Sequence, residues 1–213
     1  MKKNQKITDI QVKKNSINRR KLYIDNELFI EIDDVVISDL DLYIEKEVTD
    51  ELIEKIKQKE TFTKAKNDAI RFLSYRPRSE WEISNKLKKK KYPIFIIEET
   101  IFWLKEKDLI NDRQFAMIWI KDRLTNKPLG KLKIRKELYN KGIDSEVIES
   151  TVNVFFKKEE DELELAYQLI ERRKNSLRLK NVQLEPQKII NLLKNRGFSY
   201  YVINHIYDDL LDQ

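Results

Sequence analysis

The sequence predicts a mainly α-helical protein, in which a tandem array of three three-helix repeats follows a small N-terminal β-hairpin region and a helix. Two observations carry this prediction. Short alternating apolar segments with a turn signal occur only near the start of the chain. One spacing of apolar residues then recurs three times in the remainder. The predicted regions are residues 1–60, 61–110, 111–158 and 159–213.

A hairpin and the start of a helix account for the first region. Residues 20–24 and 28–32 read as two strands, and the Asp25-Asn26 pair between them is typical of a tight hairpin turn. From Thr49 the pattern becomes helical, because a threonine suits the N-cap position and acidic residues favour the first turn. Only helices are expected beyond this point.

The three repeats share one template, with successive spacings of 4, 5, 4, 1, 4 and 3 residues. Its members are Ile83, Leu87, Tyr92, Ile96, Ile97, Ile101 and Leu104; Ile134, Leu138, Ile143, Val147, Ile148, Val152 and Phe155; and Ile189, Leu193, Phe198, Val202, Ile203, Tyr207 and Leu210. A helical stretch with a small residue precedes each copy, at Ala69, Ala116 and Ala166. Each repeat is therefore predicted to contain three helices.

The step of five residues in the template predicts how the second helix of each repeat ends. Gly142 and Gly197 fall where a left-handed residue closes a helix, so that the next residue touches the last turn. The first repeat has Lys91 at this place, and we predict a positive φ there at a cost of about 1 kcal/mol relative to glycine. Helix starts are expected at the capping residues Ser79, Asn111, Asp144 and Ser199.

Charge follows the same repetition. The chain has 43 Lys plus Arg against 37 Asp plus Glu, a formal net charge of +6. The second helices and their leading loops are basic, whereas the third helices are acidic. Stacked repeats would align the basic elements into a stripe suited to a polyanionic or acidic partner. A solvated charged surface without function is the alternative interpretation.

Composition argues against several classes of function. The chain has no Cys and one His, His205, which excludes disulfides, thiol nucleophiles and a His-rich zinc site. Gly130-Lys131 lacks the preceding glycine of a phosphate-binding loop, since position 125 is Thr. We therefore expect no catalytic residues, no metal and no cofactor. The absence of a long apolar run predicts a soluble, cytoplasmic protein without membrane contact.

Nucleic-acid binding fits the basic helices better than the acidic ones. In each repeat a helix, a short turn and a second helix resemble a helix-turn-helix motif that binds the major groove of DNA. The last helix of each repeat, however, carries carboxylates that phosphates would repel: Glu98, Glu99, Glu146, Glu149, Asp208 and Asp209. Non-specific phosphate contact through the basic helices stays open. Trp81, Trp103 and Trp119 are expected to pack between helices, with stacking on nucleobases as the alternative.

A family resemblance rests on several of these segments. Residues 73–83, 87–92, 104–116, 128–130 and 138–143 resemble the RecX regulatory family, strongly from Ala65 to Val152 and more weakly through the third repeat. The N-terminal hairpin region is similar to that of longer family members. Lys91 and Asp108 depart from the family pattern, which often has glycine at these turns.

The resemblance implies a non-enzymatic regulator of the RecA recombinase, active in DNA repair, recombination and the SOS response. Such a protein binds in the helical groove of the RecA filament on single-stranded DNA and restrains filament growth, ATP hydrolysis and strand exchange. From charge and from the matched segments, the candidate filament-binding and DNA-binding residues are Arg76, Arg78, Arg123, Lys127, Lys131, Lys133, Arg135 and Lys136.

Two other functions remain open from the sequence. A free-standing nucleic-acid binder would bind bare DNA tightly and with steep salt dependence, and would add nothing to a RecA filament. An interaction scaffold would hold a basic partner on its acidic third helices. Glutamate at Lys133 and Arg135 would abolish filament inhibition and leave a scaffold mostly intact. A monomer is the simplest assumption for an open array of repeats.

Overall fold

The computed structural model describes residues 5–14, 16–178 and 185–211. These residues form a small antiparallel sheet followed by helices, as the sequence predicts. In chain order the elements are β1 (Gln5–Val12), β2 (Arg19–Ile24), β3 (Glu27–Asp33), α1 (Asp34–Asp39), β4 (Glu47–Val48), α2 (Asp50–Leu73), α3 (Glu80–Lys89), α4 (Ile94–Glu106), α5 (Asp112–Asn126), α6 (Lys131–Tyr139), α7 (Ser145–Phe155), α8 (Glu159–Arg178), α9 (Pro186–Arg196) and α10 (Tyr200–Leu211). No helix in these ranges is long and apolar enough to cross a lipid bilayer.

The predicted hairpin is formed by β2 and β3. Asp25 and Asn26 both have positive φ, 49° and 67°, as a two-residue hairpin turn with matching twist requires. The sheet has the order β3-β2-β1-β4, and all neighbouring strands are antiparallel. It packs on α1 and α2 through fully buried apolar side chains, Ile7, Leu22, Ile32, Val36 and Ile56.

Helix α2 connects the sheet region to the repeats. The Thr49 hydroxyl accepts a backbone N–H bond at 3.2 Å, which confirms the predicted cap. The helix is continuous for 24 residues, so the helix predicted at Thr49 and the helical stretch predicted around Ala69 are one element. Buried Glu60 accepts hydrogen bonds from Arg19 at 2.6 Å and from the backbone N–H of Asp33 at 2.9 Å. These bonds tie α2 to the sheet.

The chain divides into two compact units. The first comprises Met1–Arg76 and Ile83–Lys107, and the second comprises Pro77–Glu82 and Asp108–Gln213. In the second unit, α5 to α10 share one apolar core, so the second and third repeats fold together. The division at residues 60, 110 and 158 stays a prediction.

Each second helix ends in the predicted left-handed turn. The φ angle is 63° at Lys91, 73° at Gly142 and 72° at Gly197, which confirms the expectation for Lys91. In every repeat the N–H of the following residue donates to the carbonyl five residues back: Tyr92 to Leu87 at 3.3 Å, Ile143 to Leu138 at 3.2 Å, and Phe198 to Leu193 at 3.2 Å.

Glycine is required at two of these turns for a second reason. A Cβ on Gly142 would lie 2.3 Å from the Cβ of Trp81, and one on Gly197 would lie 2.5 Å from the backbone nitrogen of Lys133. Both distances are too short for non-bonded carbon and nitrogen atoms. The Lys91 side chain, which already includes a Cβ, is exposed. The free-energy cost at this position therefore comes mainly from the strained backbone.

Replacing Lys91 by glycine is expected to raise the free energy of unfolding of the first unit by about 1 kcal/mol. Glycine adopts positive φ without the clash that a Cβ introduces, and this gain exceeds the entropy that glycine adds to the unfolded chain. Urea denaturation followed by circular dichroism measures the change. A variant no more stable than the parent would contradict the assignment of strain to Lys91.

The start of α6 is hydrogen-bonded to the turn at Gly197. The N–H of Gly130 donates to the carbonyl of Arg196 at 3.0 Å, and the N–H of Leu132 donates to the carbonyl of Gly197 at 3.1 Å. A Cβ on Gly130 would lie 2.3 Å from the carbonyl oxygen of Gly197. The second and third repeats are therefore joined backbone to backbone.

Acidic side chains cap the helix starts at these junctions. The fully buried carboxylate of Glu162 accepts from the backbone N–H of Lys131 at 2.8 Å and from that of Ser199 at 3.2 Å. At the start of α3, also within the second unit, Asp112 accepts from the N–H of Glu80 at 2.9 Å. At Lys131 and Glu80 the carboxylate comes from the next repeat, and at Ser199 it comes from the same repeat; each satisfies a free N–H and complements the positive end of a helix.

Candidate functional site

Six of the eight candidate cations lie on α5, α6 and the loop between them, and the structure sorts them by partner. Three bind carboxylates of the same unit: Arg123, Lys131 and Arg135. Three are exposed, and their side chains make no hydrogen bond or ion pair with any residue that the structure describes: Lys127, Lys133 and Lys136. These last three are called the open lysines below.

The other two candidates lie in the loop between α2 and α3. Arg76 and Arg78 are half-buried, and each interacts with another group of the chain. Arg76 belongs to the first unit and Arg78 to the second. Neither is a fully exposed cation.

Arg123 is part of a packed cluster rather than a free surface charge. Its Nε donates to Glu137 at 2.7 Å, and its guanidinium lies 4.2 Å from the ring centre of Trp119. The indole N–H of Trp119 donates to the same carboxylate at 2.9 Å. Arg123 therefore joins α5 to α6, and its charge is largely satisfied within the protein.

Arg135 is also neutralised by a partner. Its Nε and one terminal nitrogen donate to the two oxygens of Glu149 at 2.7 and 2.8 Å, which joins α6 to α7. The hydrogen bond from Arg135 holds the pKa of the Glu149 carboxyl below its usual range, and the same bond raises the pKa of Arg135. Lys131 turns inward, with Nζ 3.8 Å from buried Glu162.

The open lysines lie close together along the chain. Lys133 and Lys136 are one helical turn apart on α6, so their side chains share one side of the helix. Lys127 forms the C-cap of α5, at the start of the short loop that leads into α6. This part of the second unit offers positive charge that no described carboxylate cancels.

The third helices expose carboxylates, as predicted. Glu146 and Glu149 are exposed on α7, and Glu98 and Glu99 are exposed on α4. A phosphate-rich partner would therefore meet favourable charge at the open lysines and unfavourable charge along α7.

Known proteins of similar sequence are regulatory proteins. The chain is 34% identical over 197 residues to the regulatory protein RecX of Listeria monocytogenes serotype 4a (strain HCC23), covering 91% of this chain and 71% of that protein. It is 31% identical over 206 residues to the regulatory protein RecX of Clostridioides difficile (strain 630), covering 97% and 96%. The chain belongs to the RecX family.

Family models and solved structures agree with this assignment. Residues 65–104 match the first three-helix domain of RecX, and residues 111–152 match the second. A crystal structure of regulatory protein RecX superimposes with a TM-score of 0.75 at 27% identity, covering 96% of this chain and 99% of that one. RecX from Lactobacillus salivarius gives 0.60 at 28% identity, covering 70% and 96%. The predicted family and the predicted fold class are both confirmed.

The tryptophans of this RecX-family chain differ in exposure. Trp103 and Trp119 are partly buried, and Trp119 stacks on Phe115 with ring centres 5.8 Å apart, which fits the expected packing role. Trp81 is 50% exposed, and Tyr139 at the end of α6 is 70% exposed. The expectation of buried packing therefore describes two of the three tryptophans.

Sequence reasoning missed Tyr139 and the capping carboxylates Asp112 and Glu162. The signal for Tyr139 was present, because Ile134 and Leu138 define the buried side of α6 and Tyr139 falls outside it. Glu162 offered no such signal, since it lies in an acidic run where only the packing decides which side chain turns inward.

Proposed function

We propose that this RecX-family chain is a non-enzymatic regulator of the RecA recombinase that acts in the cytoplasm. It binds in the groove of the RecA filament on single-stranded DNA and restrains filament growth, ATP hydrolysis and strand exchange, and so affects DNA repair, recombination and the SOS response. Membership of the RecX family supports this proposal. The observation that carries it is the group of open lysines, Lys127, Lys133 and Lys136.

Contact of the open lysines with phosphates would stabilise the complex by releasing counterions from the nucleic acid. Arg123, Lys131 and Arg135 contribute less in this proposal, because each would have to give up a carboxylate partner first. We propose the open lysines as the DNA-facing part of the interface, with the carboxylates of α7 directed away from the phosphates. The alignment of all three basic helices into one stripe stays a prediction.

RecA ATPase activity on single-stranded DNA tests this function. Titration with the protein is expected to lower the steady-state rate of ATP hydrolysis to a small residual value. The protein alone, with DNA and ATP but without RecA, is expected to hydrolyse no ATP. An unchanged RecA rate over a wide range of concentrations would contradict the proposal.

The alternative function is that of a free-standing, non-specific nucleic-acid-binding repeat protein. The same open lysines would serve it, so binding to bare DNA does not discriminate between the two functions. Inhibition of RecA at protein concentrations too low to occupy bare single-stranded DNA supports the filament regulator. Inhibition that appears only when bare DNA is saturated supports the alternative.

Replacing Glu149 by glutamine is expected to strengthen binding to single-stranded DNA. The change releases the Arg135 guanidinium, which then offers one further phosphate contact and raises the dependence of log K on log salt by about 0.7. Fluorescence anisotropy of a labelled oligonucleotide at several salt concentrations measures this slope.

The matched control is Glu146→Gln. It removes the same charge from α7, but its carboxylate pairs with no cation among the described residues. Equal effects of the two substitutions would show that the lost negative charge alone matters and would contradict a latent role for Arg135.

A further inference from the structure

An open cavity of about 690 Å³ lies in the second unit beside the end of α6. Its aromatic wall is formed by Trp81 and Tyr139, which are 50% and 70% exposed. Its polar wall includes Asn140, Asp144 and Ser145, at the turn into α7. The volume falls within the range of small-ligand sites, about 300–1,000 Å³.

Trp81 is held in place by its backbone rather than by burial of its ring. The Ser79 hydroxyl, two residues earlier, donates to the carbonyl of Lys141 at 2.7 Å. Gly142 has no Cβ, which lets the Cβ of Trp81 approach the turn closely. The start of α3 is thus fixed while half of the Trp81 surface stays open to solvent.

The charges around the cavity differ between its two sides. Lys133, Lys136 and Tyr139 follow one another at intervals of three residues on α6. Residues three apart are neighbours on a helix surface, so Lys136 lies next to Tyr139 and Lys133 lies one turn before it. On the other side, one oxygen of Asp144 accepts the N–H of Glu146 at 2.8 Å, and the Glu146 carboxylate is exposed nearby on α7. An occupant with negative charge inside the cavity would be repelled by Asp144.

Single-stranded DNA has the matching distribution of charge. Its bases are neutral, planar and able to stack on aromatic rings, whereas its charge lies on the phosphates. Exposed aromatic rings next to unpaired lysines are the arrangement by which proteins bind single strands without reading their sequence. An acidic peptide in the cavity would bring negative charge close to Asp144, which would repel it. An uncharged peptide would gain nothing from the neighbouring lysines.

We propose that bases of single-stranded DNA stack on Trp81 and Tyr139 while the adjoining phosphates contact Lys136 and Lys133. This inference rests on the proposed function, because it takes the same open lysines as the phosphate contacts. Base stacking on Trp81 and Tyr139 is added to the phosphate contacts of the open lysines. The protein is therefore expected to prefer a strand with bases over a bare phosphate backbone.

Fluorescence anisotropy without RecA tests the inference. The full chain is titrated into a labelled thymidine oligonucleotide and into an abasic oligonucleotide of equal length and charge. Wild-type protein is expected to bind the thymidine strand more tightly. Trp81→Leu and Tyr139→Ala are each expected to weaken that binding about fivefold or more and to leave binding to the abasic strand unchanged.

The variants are chosen to preserve the fold. Leucine is the residue at the corresponding position of the second repeat, Leu132, and Tyr139 is too exposed for its ring to support the core. Tyr139→Phe retains the ring and is expected to bind as wild type does. Tyr200→Ala, at a tyrosine that is 76% exposed outside the cavity, is the control and is expected to have no effect.

Three results would overturn the inference. The first is equal affinity of the wild type for the two strands, and the second is equal weakening of both by Trp81→Leu and Tyr139→Ala. The third is loss of RecA inhibition in these variants with thymidine binding intact, which would assign the cavity to a protein partner. A preserved base preference in a protein that does not inhibit RecA would instead contradict the proposed function alone.

Discussion

Replacing Gly197 by alanine is expected to lower the free energy of unfolding of the second unit by about 2–4 kcal/mol. Two costs add at this position. The φ of 72° strains any residue with a Cβ, at about 1 kcal/mol. The new methyl group would also lie 2.5 Å from the backbone nitrogen of Lys133. Forcing a methyl group into such packing costs a further 1–3 kcal/mol or so.

The matched control is Lys91→Ala. Lys91 has nearly the same φ, 63°, but is exposed and already has a Cβ, so its loss is expected to stay within about 0.5 kcal/mol. Urea denaturation of both variants followed by circular dichroism gives the two values. A small effect at Gly197 would show that the two repeats separate at this turn more easily than their backbone hydrogen bonds indicate.

Replacing all three open lysines by glutamate is expected to weaken binding to single-stranded DNA about 100-fold or more at 0.1 M salt. Three lost phosphate contacts lower the dependence of log K on log salt by about 2, and the new carboxylates add repulsion. Inhibition of RecA ATPase activity is expected to disappear. Stability should change little, because Lys127, Lys133 and Lys136 are exposed and bind no described carboxylate.

The control reverses two other exposed lysines of the same unit. Lys157 and Lys158 lie between α7 and α8, directly before the acidic first turn of α8, and their replacement by glutamate is expected to leave both DNA binding and RecA inhibition close to wild type. If both variants lose activity equally, net charge rather than a defined interface controls binding.

Features set by neighbouring residues could be predicted from the sequence. The Asp25-Asn26 turn and the left-handed turn at Lys91 follow from short-range backbone chemistry, and the structure has both. The repeat template was also predictable, because its spacing reflects how one helix ends and the next begins. The two-residue strand β4 has no local signal, since it exists only through pairing with β1.

The candidate site was less predictable, because it depends on which charges cancel. Arg135 and Lys136 are adjacent and equally basic in the sequence, yet only Arg135 meets a carboxylate, fourteen residues away on α7. Glu162 is one member of an acidic run until packing places it beneath two helix starts. Such pairings belong to tertiary structure, so composition identified a basic region but not its open lysines.

Lysine footprinting shows whether the open lysines face the RecA filament. Brief acetylation followed by mass spectrometry reports how accessible each lysine is in the free protein and after addition of RecA filaments on single-stranded DNA. The filament is expected to protect Lys127, Lys133 and Lys136 and to leave Lys157 and Lys158 as reactive as before. Unchanged reactivity of the open lysines, with protection of Lys157 and Lys158, would contradict this expectation.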